Sequence, residues 1–459
     1  MKMSTISFCR LLSVSVRPLP PKSQFRSRTG GVRQRVVKNL ILLGGSSGAS
    51  ALLSMLSTAT NSRALNLTDF GTFILLQTSA LLVAGIFSFA TQQPIIKLGV
   101  RALEAGETEK FESFVGLGLL VDTASAVVAT IVSLVLVSTL PALIGISAER
   151  ISPAILVAAS LLFQGYRTSE GIFRAFDRFD LIGFIQILSA AIQFLFALIL
   201  WWYDAAFILY AVLAALVISL SSCLQLITAL FLLRSNGMWP RLRYISAKSS
   251  ERSEFMTYCW STSVMGTCDT IRGFGDSPLV GALVSVEAVG IYNVAKQLAG
   301  ILRKGTAIYA SVLFPELASM AAAGRFLEAK RTLHKAVAVS LAITVVAVIG
   351  SVLVGSPVLT LVFGPRFAAG STVLTLLTLA AGLQLVSASY SMLVQAFIGP
   401  IPLLYAYFLA ASSFLLVAFI GLSNLGVWAM GLAQIAFVIA LTAGCGLKLM
   451  RYTAQERLL

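Results

Sequence analysis

Apolar runs of about 20 residues recur from end to end of this chain, separated by short polar and basic segments. At 1.5 Å per residue, a run of that length crosses the roughly 30 Å of hydrocarbon in a bilayer. Backbone groups in lipid must be bonded within their own segment, and runs such as VVATIVSLVLV do not alternate as barrel strands would. The pattern predicts twelve helices, at about 40–60, 70–92, 114–140, 153–173, 182–202, 206–233, 256–284, 289–314, 336–362, 371–396, 402–422 and 426–448. The expected class is an all-α, polytopic membrane protein with two six-helix lobes. Its expected organisation is a basic extension (1–38), a first lobe (39–233), a basic inter-lobe loop (234–255), a second lobe (256–448) and a tail (449–459).

Composition supports that solvent. Of 459 residues 57% are hydrophobic and 12% charged, about half the ~25% charged share of a soluble domain. The cysteines (Cys9, Cys223, Cys259, Cys268, Cys445) are scattered without metal or disulfide spacing, and His334 is the single histidine. No GxxxxGK[ST] loop is present. No cofactor and no metal site are expected. The external loops are too short for a catalytic domain, so no enzyme is expected.

The net charge of +15 matters through its placement. The first 38 residues hold nine Lys or Arg and no acid, which reads either as a transit peptide or as a basic cytoplasmic tail lengthened by an early start codon. Basic residues then gather in alternate loops: Lys97, Arg101 and Lys110; Arg174 and Arg178; Arg234 to Arg252; Arg325 to Lys335; Lys448 to Arg457. By the positive-inside rule both termini are cytoplasmic, which agrees with an even number of spans.

The halves repeat. DFGTF at 69–73 resembles AVGIY at 288–292, AGETEKFESF from Ala105 resembles AGRFLEAKRT from Ala323, and LIG ending at Gly145 resembles VFG ending at Gly364, at offsets of 218–219. Copies with an even number of spans share one orientation about an axis along the membrane normal.

Charge inside the spans is the candidate chemistry. Asp269, Arg272 and Asp276 share one face of a continuous helix, with Arg272 and Asp276 at i, i+4. The next span adds Lys296, Arg303 and Lys304. One ionised group at mid-bilayer costs about 2.5–3.5 kcal/mol, so most of these must face protein or a wet cavity. Two readings stand: ion pairs that lock the two spans, and an anion-facing cavity favoured by four bases meeting two acids. In the first half, Asp122 has no evident partner and reads as a protonatable site or a neutral buried acid. Arg167 and Glu170 read as an inner entrance or an interface-level pair.

Four stretches, NSRALNLTDFGTFILL, GIFRAFDRFDLIGFIQ, DSPLVGALVSVEAVGIYNVAKQL and VLFPELASMAAAGRFLEAKRTL, are similar in order and spacing to those of polysaccharide flippases. That O-antigen and exopolysaccharide flippase family lies in the MATE-like superfamily, and the likeness spans about residues 39–448. The resemblance implies twelve helices around a central cavity, and a lipid-linked oligosaccharide carried from the cytoplasmic to the outer leaflet of a bacterial inner membrane. It makes Asp276 the family-like aspartate. The implied partners are the bilayer, a polyprenyl-pyrophosphate-linked oligosaccharide and polysaccharide-assembly proteins, not nucleic acid. Arg272 and Arg303, aided by Lys296 or Lys304, are the expected phosphate receptors; Asp269, Asp276 and Asp122 are expected counter-ions or coupling-ion sites. The alternative is an ion-coupled multidrug exporter of the same fold.

Overall fold

The computed structural model describes residues 32–141, 146–165, 167–241 and 249–456, which hold helices and no strand. The extension before residue 32, together with Gly145, Arg243, Lys248 and Arg457, lies outside the described residues. The first half comprises α1 (Val32–Ala64), α2 (Leu67–Phe87), α3 (residues 92–104), α4 (Thr108–Thr139), α5 (Ile151–Ala159), α6 (Arg167–Ala175), α7 (Phe179–Trp202) and α8 (Phe207–Ser235). The second comprises α9 (Ser249–Phe274), α10 (Asp276–Leu283), α11 (Val286–Ala322), α12 (Phe326–Phe363), α13 (Ser371–Phe397), α14 (Pro400–Leu425) and α15 (Trp428–Glu456).

Among the described residues eight helices are long and apolar enough to cross a membrane: α2, α4, α7, α8, α12, α13, α14 and α15. The other four expected spans fall short for visible reasons. α1 is rich in Gly, Ser and Thr; α5 and α6 are separated by a 3₁₀ turn and an irregular segment; α9 and α11 carry the interior charges. The spanning helices turn apolar residues outward, among them Val346, Val352 and Leu353 on α12 and Leu416, Phe419 and Ile420 on α14. Such a surface suits lipid rather than water. The chain is a multi-pass membrane protein.

The duplication is visible in the helix starts. Leu67 and Val286, Thr108 and Phe326, Ile151 and Ser371, Phe179 and Pro400, Phe207 and Trp428 lie 218–221 residues apart. The caps repeat too. Asn66 accepts the Asp69 N–H at 2.7 Å to start α2, and Ser285, 219 positions later, accepts the Ala288 N–H at 3.2 Å to start α11. Each supplies an acceptor to one of the orphan N–H donors of a helix N-terminus.

Equivalent positions meet where the halves cross. The Thr68 hydroxyl donates to Glu287 Oε1 at 2.6 Å, across 219 residues. Gly71 and Gly290, also 219 apart, let α2 and α11 touch: a Cβ at 71 would lie 2.0 Å from the Val286 carbonyl oxygen, and one at 290 would lie 3.0 Å from the Phe70 ring. Contacts between equivalent residues are what a two-fold axis running through this crossing produces. The same end is tied by Ser62 Oγ donating to the Phe363 carbonyl at 3.1 Å and by Arg63 donating to the carbonyls of Leu361 and Val362. One apolar core runs through both halves here, with Phe70, Phe73, Val289, Tyr292 and Phe367 all buried.

Two expected spans are broken. The stretch expected as one helix over 256–284 ends at Phe274 and restarts at Asp276. Pro278 explains it: in an unbroken helix its ring would meet the carbonyl of Phe274 and its missing N–H would leave that carbonyl unbonded. The stretch expected as one helix over 153–173 passes through a 3₁₀ turn at Ser160–Phe163 before α6 begins. Irregular backbone at this depth survives where it lines protein or a cavity, and both breaks do so.

Candidate functional site

The break before α10 sets the geometry of the interior charges. Asp276 becomes the first residue of a new helix, so the expected i, i+4 pair with Arg272 does not form. Asp276 is instead fully buried against α11: Lys296 Nζ lies 2.8 and 2.7 Å from its two carboxylate oxygens, and the Tyr292 hydroxyl donates to Oδ2 at 2.7 Å. The restart adds the Ser277 N–H, which donates to Oδ1 at 2.8 Å, and the carbonyl of Gly273 accepts from Lys296 Nζ. A carboxylate with four donors, the Ser277 hydroxyl being the fourth at 3.3 Å, and a lysine with three acceptor atoms offset most of their desolvation by mutual attraction and hydrogen bonding.

Arg272, one turn before the break, is oriented from the other side. Its Nη1 donates to Gln384 Oε1 at 3.2 Å and Gln434 Oε1 at 3.4 Å; Gln434 Nε2 returns a bond to the Arg272 carbonyl at 3.2 Å. Its guanidinium carbon stands 4.7 Å from the Phe437 ring centroid, a cation–π contact. Its acid, Asp269, is 3.6 Å away and half-exposed. Neutral amides and a ring fix this cation without cancelling its charge, and its Nε has no hydrogen-bond partner among the described residues.

Arg272, Lys296 and Arg303 line one small, partly open recess of about 30 Å³ with Tyr292, Gln384 and Gln434. Arg303 is exposed there, and among the described residues no carboxylate is paired with it. Lys304, one residue on, is exposed but does not line the recess. The geometry therefore brings together Arg272, Arg303 and Lys296, with Asp276 locked to Lys296 and Asp269 at the margin beside Arg272. Gln384, Gln434 and Tyr292 were not singled out from sequence, because a glutamine 112 residues from Arg272 carries no local signal.

Asp122 lies elsewhere, in the first half, and it is not partnerless. The Thr91 hydroxyl and the Thr168 backbone N–H each donate to it at 2.8 Å. Both donors come from breaks, Thr91 from the gap between α2 and α3 and Thr168 from the first turn of α6 after the gap that follows α5. Asp122 lines a second cavity of about 110 Å³ with Gln164, Arg167 and, from α9, Thr270 and Phe274. Glu170 pairs with Arg174, one helical turn on, and Arg167 lines the Asp122 cavity.

Known proteins share this architecture. An inward-facing MATE-family multidrug resistance transporter of the MOP superfamily superposes with a TM-score of 0.70 at 16% identity, over 89% of this chain and 96% of that one. The lipid II flippase MurJ in an inward closed conformation gives 0.72 at 13% identity, over 89% and 87%. At such identities the likeness is one of fold. A relative in sequence is the inner membrane protein YghQ of Escherichia coli (strain K12), 23% identical over 345 residues, covering 73% of this chain and 95% of that protein. A family model described as polysaccharide biosynthesis protein matches residues 36–321. With well over half of its length in that match, and with the helices, caps and repeated crossing already described, the chain belongs to the polysaccharide biosynthesis protein family.

Proposed function

We propose that this protein flips a lipid-linked oligosaccharide across the bacterial inner membrane, from the cytoplasmic to the outer leaflet, by alternating access of two six-helix lobes. In this reading the chain crosses the membrane twelve times with both termini inside, and the basic loops face the cytoplasm.

The observation that carries it is Arg303, an uncompensated cation beside Arg272 in a recess between helices. A polyprenyl-pyrophosphate donor keeps its tail in lipid, but its anionic head needs a wet, cationic path. Arginine is suited to that head because its planar fork makes paired, charge-assisted bonds to phosphate oxygens. Arg272 and Arg303 receive the pyrophosphate; Lys296 contributes field while Asp276 holds it in place. Asp269 balances Arg272 when the recess is empty, and Asp122 is the candidate coupling-ion or proton site. The crossing of α2 and α11 is then the outer seal, and its opening lowers affinity for the head.

Flipping of a fluorescent lipid-linked oligosaccharide in proteoliposomes tests this, native protein against Arg272→Ala, with folding checked for both. Flipping by the native chain that the substitution abolishes supports the reading. Undiminished flipping by a folded Arg272→Ala protein removes that residue from the path. No flipping by the native chain with any of several sugar heads returns the multidrug exporter as the better account.

A further inference from the structure

A third cavity lies wholly within the first half, at mid-length of α1, α7 and α8. Its cavity volume is about 200 Å³. None of its lining residues is charged. One wall is polar: Ser50 and Ser54, four apart on α1; Gln186, Ser189 and Gln193, spaced three and four on α7; and Ser221 on α8. The other wall is apolar, with Phe196, Leu213, Leu216 and Leu220 among its residues.

Polar side chains within a membrane bundle ordinarily bond neighbouring helices together. These do not. Among the described residues Gln186 Oε1 and Ser189 Oγ have no hydrogen-bond partner, and neither has Oε1 of Gln225, a buried residue one turn beyond Ser221. A flip of an amide or a turn of a serine χ1 presents such atoms to the cavity that Gln186 and Ser189 line.

The other half shows that the space is not forced by the fold. At the 221-residue spacing of these helices, Gln186 corresponds to Tyr407 and Leu216 to Phe437. Those two rings pack on each other at 6.3 Å, and Arg272 sits on Phe437, so the matching crevice is filled. In the first half the two rings are replaced by an amide and an aliphatic chain, and the crevice is open.

We infer that this crevice between α1, α7 and α8 is a subsite for an uncharged, hydroxyl-rich ligand, the glycan part of the cargo. A sugar ring presents hydroxyls at its edges and C–H groups on its faces, and the two walls match those surfaces. Serine hydroxyls and glutamine amides both donate and accept, as sugar hydroxyls require. The inference rests on the proposed function for the identity of the ligand, but not for the binding.

Two measurements on the full chain test it. In proteoliposomes, Gln186→Tyr, which installs the second half's residue, and Gln186→Leu with Ser189→Ala are expected to raise the KM for a tetrasaccharide-bearing polyprenyl pyrophosphate about tenfold. Flipping of the glycan-free lipid should be unchanged. Native-like KM for the glycan lipid in both folded variants overturns the inference. Independently of transport, Ser189→Cys is labelled with a small polar maleimide against the native chain as background. A neutral soluble tetrasaccharide is expected to slow labelling about tenfold at about ten times its Kd, and sodium pyrophosphate is not. No protection by any of a panel of neutral tetrasaccharides overturns the subsite even where Arg272→Ala abolishes flipping. Protection without flipping by the native chain keeps the subsite and removes the lipid-linked cargo.

Discussion

The two halves share helix starts, caps and a crossing, yet their interiors follow opposite rules. At the 219-residue spacing, Asp276 corresponds to Ser57, Lys296 to Gln77 and Asp269 to Ser50. One half places a buried ion pair where the other places a serine and a glutamine, and both Ser57 Oγ and Gln77 Nε2 are without hydrogen-bond partners among the described residues. The breaks differ in the same sense. In the second half the break at Gly275 serves a pair of opposite charges, whereas in the first the breaks supply neutral donors to one acid, Asp122. A duplicated scaffold keeps its helix lengths and end contacts because packing and span length fix them. Its interior is free to diverge into a half that gathers cations and a half with an uncharged crevice between α1, α7 and α8, a division suited to a ligand with an anionic end and an uncharged end.

The ion pair gives the sharpest test of that contrast. Lys296→Met leaves Asp276 buried and uncompensated, and is expected to lower stability by about 3–5 kcal/mol in a detergent unfolding series. The counterpart Gln77→Leu should change it by less than about 1 kcal/mol. Imposing the first half on the second, Asp276→Ser with Lys296→Gln, should recover most of the loss; failure to recover would mean that the pair is structural in a way that its counterparts are not.

Arg303→Gln is expected to slow flipping about ten- to a hundredfold, the range for losing one charge-assisted bond of about 1.5–3 kcal/mol, while unfolding stays native-like. Loss of stability instead would make Arg303 part of the scaffold. Gly71→Ala places a methyl group against the Val286 carbonyl and should cost about 1–3 kcal/mol by overpacking, more than Gly290→Ala, whose nearest neighbour is a ring edge. Equal effects would argue against an asymmetric crossing. Asp122→Asn keeps one acceptor for two donors and is expected to cost about 1 kcal/mol. The smallest effect belongs to Lys304→Gln, with flipping and stability both within about 0.5 kcal/mol of native, as for a surface substitution.

Much of this was legible locally. Apolar run length determined membrane-spanning helices, because lipid leaves a backbone no other partner, and similar stretches such as DFGTF at 69–73 and AVGIY at 288–292 pointed to the duplication. The interior charges were conspicuous because each is costly in hydrocarbon. The break at Gly275 was also written in the chain, in Pro278, but a continuous apolar stretch concealed it, and the pairing drawn on an unbroken helix was therefore misplaced.

What the sequence by itself determined was the class of fold, the number of copies and the fact that charge sits inside, all consequences of transfer energies and periodicity that act within one segment. Only the tertiary structure decided which charges cancel. Lys296 silences Asp276, Gln384 and Gln434 hold Arg272 without neutralising it, and Arg303 is left to face the recess, because those partners arrive from helices up to 162 residues away and no local rule records the meeting.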